Sequence, residues 1–450
     1  MISIKEIYNN EKFRAMVKES WKISWPMTCI MFYEFLIGLC DVYIASKFGK
    51  SAQAAYGFSF QLYFIFIIIG IALSVGAVSV ISRLFTSPEK KEFSTAVNTS
   101  IVIAAVSGFV FGVFGFLFSD NIVGMLNLPA EVKAYAVPFM RIYSLAFFFD
   151  FILMNTNGIL RACDSIKKSL WIMTLVCVMN VALNFLLAFR TPLGLKGVAL
   201  ATAISLFTGA AISLYYARKL TIGFKFSMPV AKDILKISWP SGLLQAFWQL
   251  GALVLFLILN LLPFNSVGVM AAFTNGLKIE SAIFLPVFAF SMSNAVIVGN
   301  LLGKRKGKDA FNAGIITAIM GVFGAGVMTI VVMFNARHIA GILSGDYLVV
   351  NECMKYIFIA LISEPIMAWG VILGGGLNGA GDTMGVMVIT SLCIWLVRIP
   401  LSYILGIYFG WGSTAVWWSM NISILIQAIF ITRRYFKRRW VAQAENNIYA

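Results

Sequence analysis

Charged side chains are scarce in this sequence, and their scarcity excludes an ordinary soluble globular protein. Aspartate, glutamate, lysine and arginine make up 12% of the 450 residues, against roughly 25% in soluble domains. Hydrophobic residues make up 60%, and the mean hydropathy is +0.88. Apolar stretches long enough to cross the roughly 30 Å hydrocarbon core as helices recur along the chain. The composition therefore indicates a polytopic membrane protein.

Histidine and cysteine are almost as rare, which excludes several kinds of site. The chain has one histidine, His338, and no HExxH sequence, so no zinc-protease motif is present. No CxxC or other metal-ligand spacing links the six cysteines, and we interpret them as small packing residues. They are Cys29, Cys40, Cys163, Cys177, Cys353 and Cys393. Because no set of nucleophile and base can be assembled, we expect no enzyme and no cofactor other than a coupling ion.

The apolar stretches are not alternating, so they predict helices and not the strands of a membrane barrel. Cutting the chain at charge clusters and at breaks rich in Gly, Pro and Asn gives twelve predicted spans. They cover residues 20–48, 54–84, 93–118, 131–158, 166–189, 196–217, 233–259, 268–302, 309–335, 349–377, 384–408 and 412–434.

The distribution of lysine and arginine predicts the topology. Residues 1–20 are charged and lack the apolar core and cleavage site of a signal peptide, so the first helix is retained. If the N-terminus is cytoplasmic, most lysines and arginines fall on the cytoplasmic side. We therefore predict a multi-pass inner-membrane protein with both termini in the cytoplasm. The net charge of +16 fits a basic face beside anionic lipid, so we expect the bilayer as partner and no nucleic acid. We expect a monomer.

The pentapeptide KISWP occurs at residues 22–26 and again at 236–240, 214 positions later. "AAYGFSFQL" at 54–62 then matches "AAFTNGL" at 271–277 with an offset of 217, and Asp164 in "RACDS" matches Asp382 in "GAGDT" with 218. Such a register indicates an internal duplication, and we attribute the growing offset to loops. Each half has six spans, so the copies have one orientation and a pseudo-two-fold axis along the membrane normal. We predict an N-terminal lobe of helices 1–6 at 1–225, a C-terminal lobe of helices 7–12 at 226–450, and a cleft between them.

Several stretches resemble the multidrug and toxic compound extrusion (MATE) family, DinF-like prokaryotic branch. They are "WPMTCIMFYEFLIGLCDVYIASKFG", "ILRACDSIKKS", "LGLKGVALATAIS", "LKIESAIFLPVFAFSMSNAVIVGNLLGKRKGKDA" and "LNGAGDT", and together they span nearly the whole chain. The resemblance implies twelve helices in two six-helix lobes. It also implies an antiporter that exports small organic compounds, as in antibiotic resistance, in exchange for sodium ions or protons.

Ionisable side chains at membrane depth are costly and therefore point to function. Glu34 and Asp41 lie seven residues apart in the first span, on one helix face. The duplication places Trp248 and Leu255 at these positions in the second half, so the acids belong to one lobe only. Because desolvation favours the protonated form of a carboxylate, either acid is a candidate for proton exchange.

Amide and hydroxyl side chains of the fifth and sixth spans can join these acids. Asn180 and Asn184 are four residues apart, and Thr202 follows in the next span. With Asp41 they offer the oxygen ligands that an alkali cation prefers. The resemblance implies that Asp41, Asn180 and Thr202 match the family's cation site. Together with Asn184 they form a candidate sodium site. The branch often has Asp at position 184, so we keep sodium and proton open and consider Glu34 as the second carboxylate.

The second half offers candidates for the substrate cleft. Gln245, Trp248 and Gln249 follow Pro240, and Trp248 either stacks on a flat cation or packs in the core. We interpret Lys278 and Glu280 as a structural pair and expect Arg398 to partner Glu280 or Glu364. No role is assigned to Asp150 or Glu364. Pro26 and Pro240 each bend the first helix of a lobe, as a hinge or as a static kink.

Two alternative functions stay open. Residues 379–382 spell the GxGD of intramembrane aspartyl proteases, but Asp382 has a repeat mate in Asp164, which indicates a duplicated helix end. A lipid-linked oligosaccharide flippase of the same superfamily would need several cations in the cleft, and only Lys278 and Arg398 are available. Our preferred interpretation is export of cationic or amphipathic compounds by rocking of the two lobes.

Overall fold

The computed structural model describes residues 10–88, 90–125 and 129–447. Within those ranges, twelve helices are long and apolar enough to cross a membrane, and no strand is present, which confirms the predicted fold class. We number them α1 to α12: Asn10–Lys47, Lys50–Phe85, Lys90–Gly124, Ala130–Ala162, Ile166–Phe189, Leu195–Arg218, Met228–Asn260, Ser266–Gly303, Gly307–Phe334, Tyr347–Gly379, Thr383–Tyr408 and Gly412–Phe436.

Most predicted spans agree with these helices to within a few residues, but α1 begins at Asn10 instead of residue 20. The charged segment before the apolar run simply continues the helix. Two short helices, Ala336–Leu343 and Arg439–Asn447, lie outside the predicted spans. The two chain ends, which we predict to be cytoplasmic, lie outside the described residues.

Helix ends repeat between the two halves of the chain. After α4, Asp164 takes a left-handed φ of 52°, and the Ser165 amide donates to the Leu160 carbonyl at 2.8 Å. After α10, Gly381 takes a φ of 89°, and the Asp382 amide donates to Leu377 at 2.9 Å. Both are the six-to-one hydrogen bonds of a Schellman-type helix end. The same chain reversal therefore closes α4 and α10, 217 positions apart.

A packing contact repeats with the same offset. In the first half, the Ser74 hydroxyl of α2 donates to the Met154 carbonyl of α4 at 3.3 Å, and Gly158 lies beside Ser74. In the second half, the Ser291 hydroxyl of α8 donates to the Val371 carbonyl of α10 at 2.9 Å, beside Gly375. Small residues let helix backbones approach closely within a membrane. The duplication thus extends from sequence to helix packing.

The contacts divide the chain into two units. The N unit is Cys29–Gly242, and the C unit is the described residues up to Thr28 together with those from Leu243 onward. The chain passes from one unit to the other two residues after Pro26 and two residues after Pro240, inside α1 and α7. Proline interrupts the helical hydrogen bonds at both places. The lobes 1–225 and 226–450 describe the duplication and stay a prediction.

Helix α11 differs from its repeat partner α5 in length, 26 residues against 24. Two π-helical segments lie within α11, at Cys393–Arg398 and Ile404–Tyr408. Because a π turn takes in an extra residue, these segments shift the register inside the helix. The expectation that the offset grows only in loops is therefore wrong.

Candidate functional site

Asp41 lies in the C-terminal part of α1, within the N unit, and its side chain is buried, with 1% exposed. The Asn184 amide nitrogen donates to Oδ1 of Asp41 at 2.6 Å. The Tyr56 hydroxyl of α2 donates to Oδ2 at 3.4 Å. The carboxylate is thus held by neutral donors from two other helices.

The predicted amides and hydroxyl continue from Asp41 as a hydrogen-bonded chain. The Asn184 amide nitrogen also donates to Oδ1 of Asn180 at 2.9 Å, because residues four apart share a helix face. The Asn180 amide donates to the Thr202 hydroxyl at 3.1 Å, and Thr202 donates to the Val198 carbonyl at 3.1 Å. All four predicted side chains are buried. The structure therefore brings Asp41, Asn184, Asn180 and Thr202 together.

One buried atom of this hydrogen-bond network accepts no hydrogen bond. Both amide protons of Asn184 are used, whereas its Oδ1 accepts no hydrogen bond among the described residues. Both neighbouring atoms are acceptors, so the amide orientation follows from the network. Asn184 therefore presents N–H groups to Asp41, and its oxygen faces elsewhere. The described residues contain no cluster of three or more His, Cys, Asp or Glu that could hold a metal.

Glu34 lies apart from the hydrogen-bond network of Asp41, although both acids belong to α1. Its side chain is exposed, and its charged neighbours are Asp150 of α4 and Arg161 at the end of α4. The structure thus places Glu34 beside another acid and a buried guanidinium, and does not bring it to the amides of α5. Its assignment to the coupling site stays a prediction.

Asp150 is the residue for which the sequence suggested no role. It is 7% exposed, and the Tyr63 hydroxyl of α2 donates to its Oδ2 at 2.5 Å. Tyr56 and Tyr63 are seven residues apart on α2, so they share a face and each contacts one acid. That spacing is visible in the sequence, but the acid partners on α1 and α4 are not.

The C unit has its own group of ionisable side chains. The Tyr356 hydroxyl of α10 donates to Glu280 of α8 at 2.7 Å. Arg398 of α11 donates from Nε to the Ser423 hydroxyl at 2.9 Å and interacts electrostatically with Glu280. Glu364 is 3% exposed, and its Oε2 has no hydrogen-bond partner among the described residues. No salt bridge joins Arg398 to either glutamate among the described residues, and the expected partnership stays a prediction.

The expectation that Lys278 and Glu280 form a structural pair is wrong. Residues two apart on a helix point in different directions. Lys278 is exposed, and Glu280 instead accepts the hydrogen bond from Tyr356.

The other predicted cleft residues lie on the C-unit part of α7. Trp248 is 42% exposed and stacks on Phe284 of α8, with ring centroids 6.2 Å apart and planes 18° apart. Phe284 in turn stacks on Phe288 at 5.8 Å, which makes a short column of parallel rings. Gln245 and Gln249 are half-buried on either side of Trp248 in sequence. Trp248 therefore packs against aromatics and keeps an open part of its ring.

Asp382, the aspartate of the GxGD sequence, accepts two hydrogen bonds from the Arg434 guanidinium, at 2.5 and 2.6 Å. This contact joins the start of α11 to the end of α12. The aspartate therefore has a structural partner at a helix end. The two helix ends pair Gly381 with Asp164 and Asp382 with Ser165, so the expected match of Asp382 to Asp164 is off by one residue.

Fold and site together define a polytopic helical membrane protein with an internal duplication and buried acids inside its helices. The MatE family model matches residues 26–186 and 240–404, and the chain therefore belongs to the MatE family of transporters. It is 22% identical to "Probable multidrug resistance protein NorM" of Thermotoga maritima, over 98% of this chain and 96% of that protein.

Two solved structures share the fold. A MOP superfamily transporter from Pyrococcus furiosus, whose binding pocket is described as having reverse polarity, gives a TM-score of 0.88 at 19% identity, over 96% of this chain and 97% of that chain. An outward-facing multidrug resistance MATE family transporter gives 0.87 at 19% identity, over 94% and 97%. The resemblance to the MATE family stated from the motifs is confirmed.

Proposed function

We propose that the protein exports organic compounds, cationic or amphipathic in character, in exchange for protons, and that Asp41 is the group that takes up the proton. The observation that carries the proposal is the burial of Asp41 against neutral hydrogen-bond donors of two other helices, Tyr56 of α2 and Asn184 of α5. An acid placed in this way at membrane depth is expensive and marks an ion pathway by default.

The orientation of Asn184 favours a proton over a sodium ion. A bound sodium ion needs oxygen atoms directed at it, whereas Asn184 directs N–H groups at Asp41 and Asn180. Protonated Asp41 becomes a hydrogen-bond donor, and a half-turn of the Asn184 amide would let its unpartnered Oδ1 accept a hydrogen bond from the carboxylic acid. One proton therefore changes the direction of the hydrogen bonds without any new ligand.

The sodium alternative uses the same residues in another arrangement. Carboxylate, amide and hydroxyl oxygens of Asp41, Asn180, Asn184 and Thr202 would surround the ion after both amides turn. This set holds a single formal negative charge, because position 184 is Asn. We therefore rank sodium second and let the transport assay decide between them.

Coupling follows if the proton and the compound favour different states of the transporter. An ion can shift such an equilibrium only by its different affinity for the two states. We propose that protonation of Asp41 from the outside favours release of the compound, and that loss of the proton to the cytoplasm favours its binding. The rocking of two lobes is the motion predicted from the duplication.

The C unit supports the choice of substrate class. The exposed Trp248 face with Gln245 and Gln249 suits a flat amphipathic ring, and Glu280 and Glu364 place two carboxyl groups on α8 and α10. A flippase for pyrophosphate-linked sugars would need surplus cations, whereas Arg398 already interacts with Glu280. These charges favour a cationic compound over an anionic lipid.

The test is exchange in proteoliposomes that contain the purified full chain and the fluorescent cation ethidium. An imposed proton gradient and an imposed sodium gradient are applied one at a time. We expect the proton gradient alone to drive ethidium movement by the unchanged chain. Liposomes with Asp41→Asn should show no more ethidium movement than empty liposomes.

Asp120→Asn is the matched control. Asp120 is an exposed acid that pairs with Arg141, and exposed ion pairs contribute little to stability. It should transport as the unchanged chain does. Movement driven by sodium alone would replace the proton in this proposal. Full activity of Asp41→Asn would remove Asp41 from the coupling role.

A further inference from the structure

The N unit contains a second buried acid that the coupling scheme above does not use. Asp150 of α4 is 7% exposed and holds a 2.5 Å hydrogen bond from Tyr63. Among the described residues, no lysine or arginine lies within salt-bridge distance of it. A buried carboxyl without an ion-pair partner is costly, so a use or a compensating network is required.

The setting of Asp150 repeats the setting of Asp41. Each acid receives a hydrogen bond from a tyrosine of α2, Tyr56 for Asp41 and Tyr63 for Asp150. The two tyrosines are two helical turns apart, about 10 Å along the axis. Helix α2 therefore presents two hydroxyl groups, on one face, to acids that come from α1 and α4.

Tyr143 of α4 interacts with both acids. It is 5% exposed, interacts electrostatically with both Asp41 and Asp150, and contacts the Thr202 hydroxyl with its own. Its ring packs against the ring of Tyr63, with centroids 4.3 Å apart. The chain of hydrogen bonds from Asp41 through Asn184 and Asn180 ends at Thr202, which interacts with Tyr143, and Tyr143 packs against the tyrosine that donates to Asp150.

A small cavity lies beside Tyr63 and Tyr143. It has a volume of about 10 Å³ and is lined by Ser59, Tyr63, Tyr143 and Ser144 together with apolar side chains. That volume is roughly the space that one water needs. The Ser59 hydroxyl is buried, with 1% exposed, and has no hydrogen-bond partner among the described residues. Size and polar lining suit a single water between Tyr63 and Tyr143.

We propose that Asp150 is a second proton-binding carboxyl of the transport cycle, linked to Asp41 through Tyr143 and one water in this cavity. Each uptake converts one carboxylate into a carboxylic acid, with the proton taken from hydronium in the aqueous phase and later released to water as hydronium. The other ionisable groups that act on Asp150 are Tyr63 of α2, Glu34 of α1 and Tyr143 of its own helix, and Arg161 acts through Glu34. The inference rests on the proposed role of Asp41 as the group that binds the first proton.

Infrared difference spectroscopy of the full chain in lipid tests this directly, because a buried carboxylic acid has a resolved carbonyl band. The chain is titrated with pH as the unchanged protein and as Asp41→Asn, Asp150→Asn and Asp120→Asn. We expect Asp150→Asn and Asp41→Asn each to lose one titrating buried band, and not the same one, whereas Asp120→Asn loses none. Asparagine keeps the acceptor for Tyr63, so Asp150→Asn should fold.

The two proposals fail separately in this experiment. An unchanged spectrum in Asp150→Asn would overturn the second proton site and leave Asp41 intact. An unchanged spectrum in Asp41→Asn, with one band lost in Asp150→Asn, would overturn the role of Asp41 and keep Asp150. If Asp150→Asn does not fold, Asp150→Glu should keep a band at a shifted frequency, and its absence would equally overturn the proposal.

Tyr143→Phe tests the link between the sites. In the unchanged background, Asp41→Asn should shift the pH midpoint of the Asp150 band, because the two groups interact. In the Tyr143→Phe background that shift should shrink or vanish. A shift of the same size with and without the hydroxyl would contradict the path through Tyr143.

Discussion

The same pair of aromatic rings occurs in both units, but the tyrosine of the pair lies on the second helix of the chain in the N unit and on the tenth in the C unit. In the N unit, Tyr56 of α2 meets Phe139 of α4 with centroids 5.7 Å apart and planes at 81°. In the C unit, Phe273 of α8 meets Tyr356 of α10 at 5.9 Å and 69°, 217 positions further on. Tyr56 donates to Asp41, whereas Tyr356 donates to Glu280.

This exchange shows that the duplication preserved packing while the polar chemistry diverged. Glu280 itself stands 217 positions after Tyr63, the donor to Asp150, and Leu255 stands where the N unit has Asp41. Arg398 stands 218 positions after Asn180, once the π segment has added its residue. The N unit thus surrounds its acid with neutral amides, whereas the C unit provides a fixed cation beside its acids.

The largest effect is expected from moving the acid to the other unit. Leu255 is 2% exposed within an apolar cluster, so Leu255→Asp would bury a charge without a partner, at a cost of several kcal/mol. We expect little folded protein by size-exclusion chromatography in detergent. Leu255→Met, which keeps the volume, should cost less than about 1.5 kcal/mol and is the control. A well-folded Leu255→Asp would mean that the C unit can accept the acid.

A glycine pair tests the shared packing and its asymmetry. A Cβ at Gly375 would lie 2.2 Å from the Ser291 carbonyl oxygen, a backbone atom, whereas at Gly158 it would lie 2.8 Å from the Ser74 hydroxyl. We expect Gly375→Ala to lower the melting temperature clearly and Gly158→Ala to do so less, because a side chain can turn away. Overpacking of this kind costs about 1–3 kcal/mol. Gly324→Ala, with open space, is the control, and equal losses at 158 and 375 would refute the asymmetry.

Asn184→Asp would sharpen the difference between proton and metal coupling. The change sets a second carboxylate at the 2.6 Å contact with Asp41, and two close acids cannot both stay charged without a cation. We expect the variant to respond to a sodium gradient in the ethidium assay, to which the unchanged chain should not respond. Asn98→Asp, at a buried amide that donates to Gly223, is the control for added charge elsewhere. Proton coupling that stays unchanged would argue against a direct role of position 184.

The smallest effects are expected from the two tyrosines. Tyr356→Phe removes a 2.7 Å hydrogen bond to Glu280, and Tyr56→Phe removes one of 3.4 Å to Asp41. Hydrogen bonds to charged groups contribute about 1.5–3 kcal/mol, and long ones contribute less. Thermal unfolding should therefore show a larger loss for Tyr356→Phe. The reverse order would mean that the Tyr56 contact is the stronger.

Sequence patterns predicted the fold well because hydrophobic length and duplication determine it. Asp41, Asn180, Asn184 and Thr202 were predicted because polar residues at helical spacing inside apolar helices are few. Asp150 received no role because its partner, Tyr63, comes from a helix 87 positions away. The π segments of α11 could not be predicted, since an inserted residue inside a helix leaves hydrophobicity unchanged. The exchange of units at Pro26 and Pro240 depends on tertiary contacts that no local pattern encodes.

Proton release on substrate binding tests the division of labour between the units most directly. Tetraphenylphosphonium is added to lightly buffered, purified protein, and the pH change is compared among the unchanged chain, Asp41→Asn and the double variant Glu280→Gln with Glu364→Gln. We predict that the double variant releases as many protons per bound cation as the unchanged chain, and that Asp41→Asn releases fewer. Normal release from Asp41→Asn, with release lost in the double variant, would place coupling in the C unit and contradict this assignment.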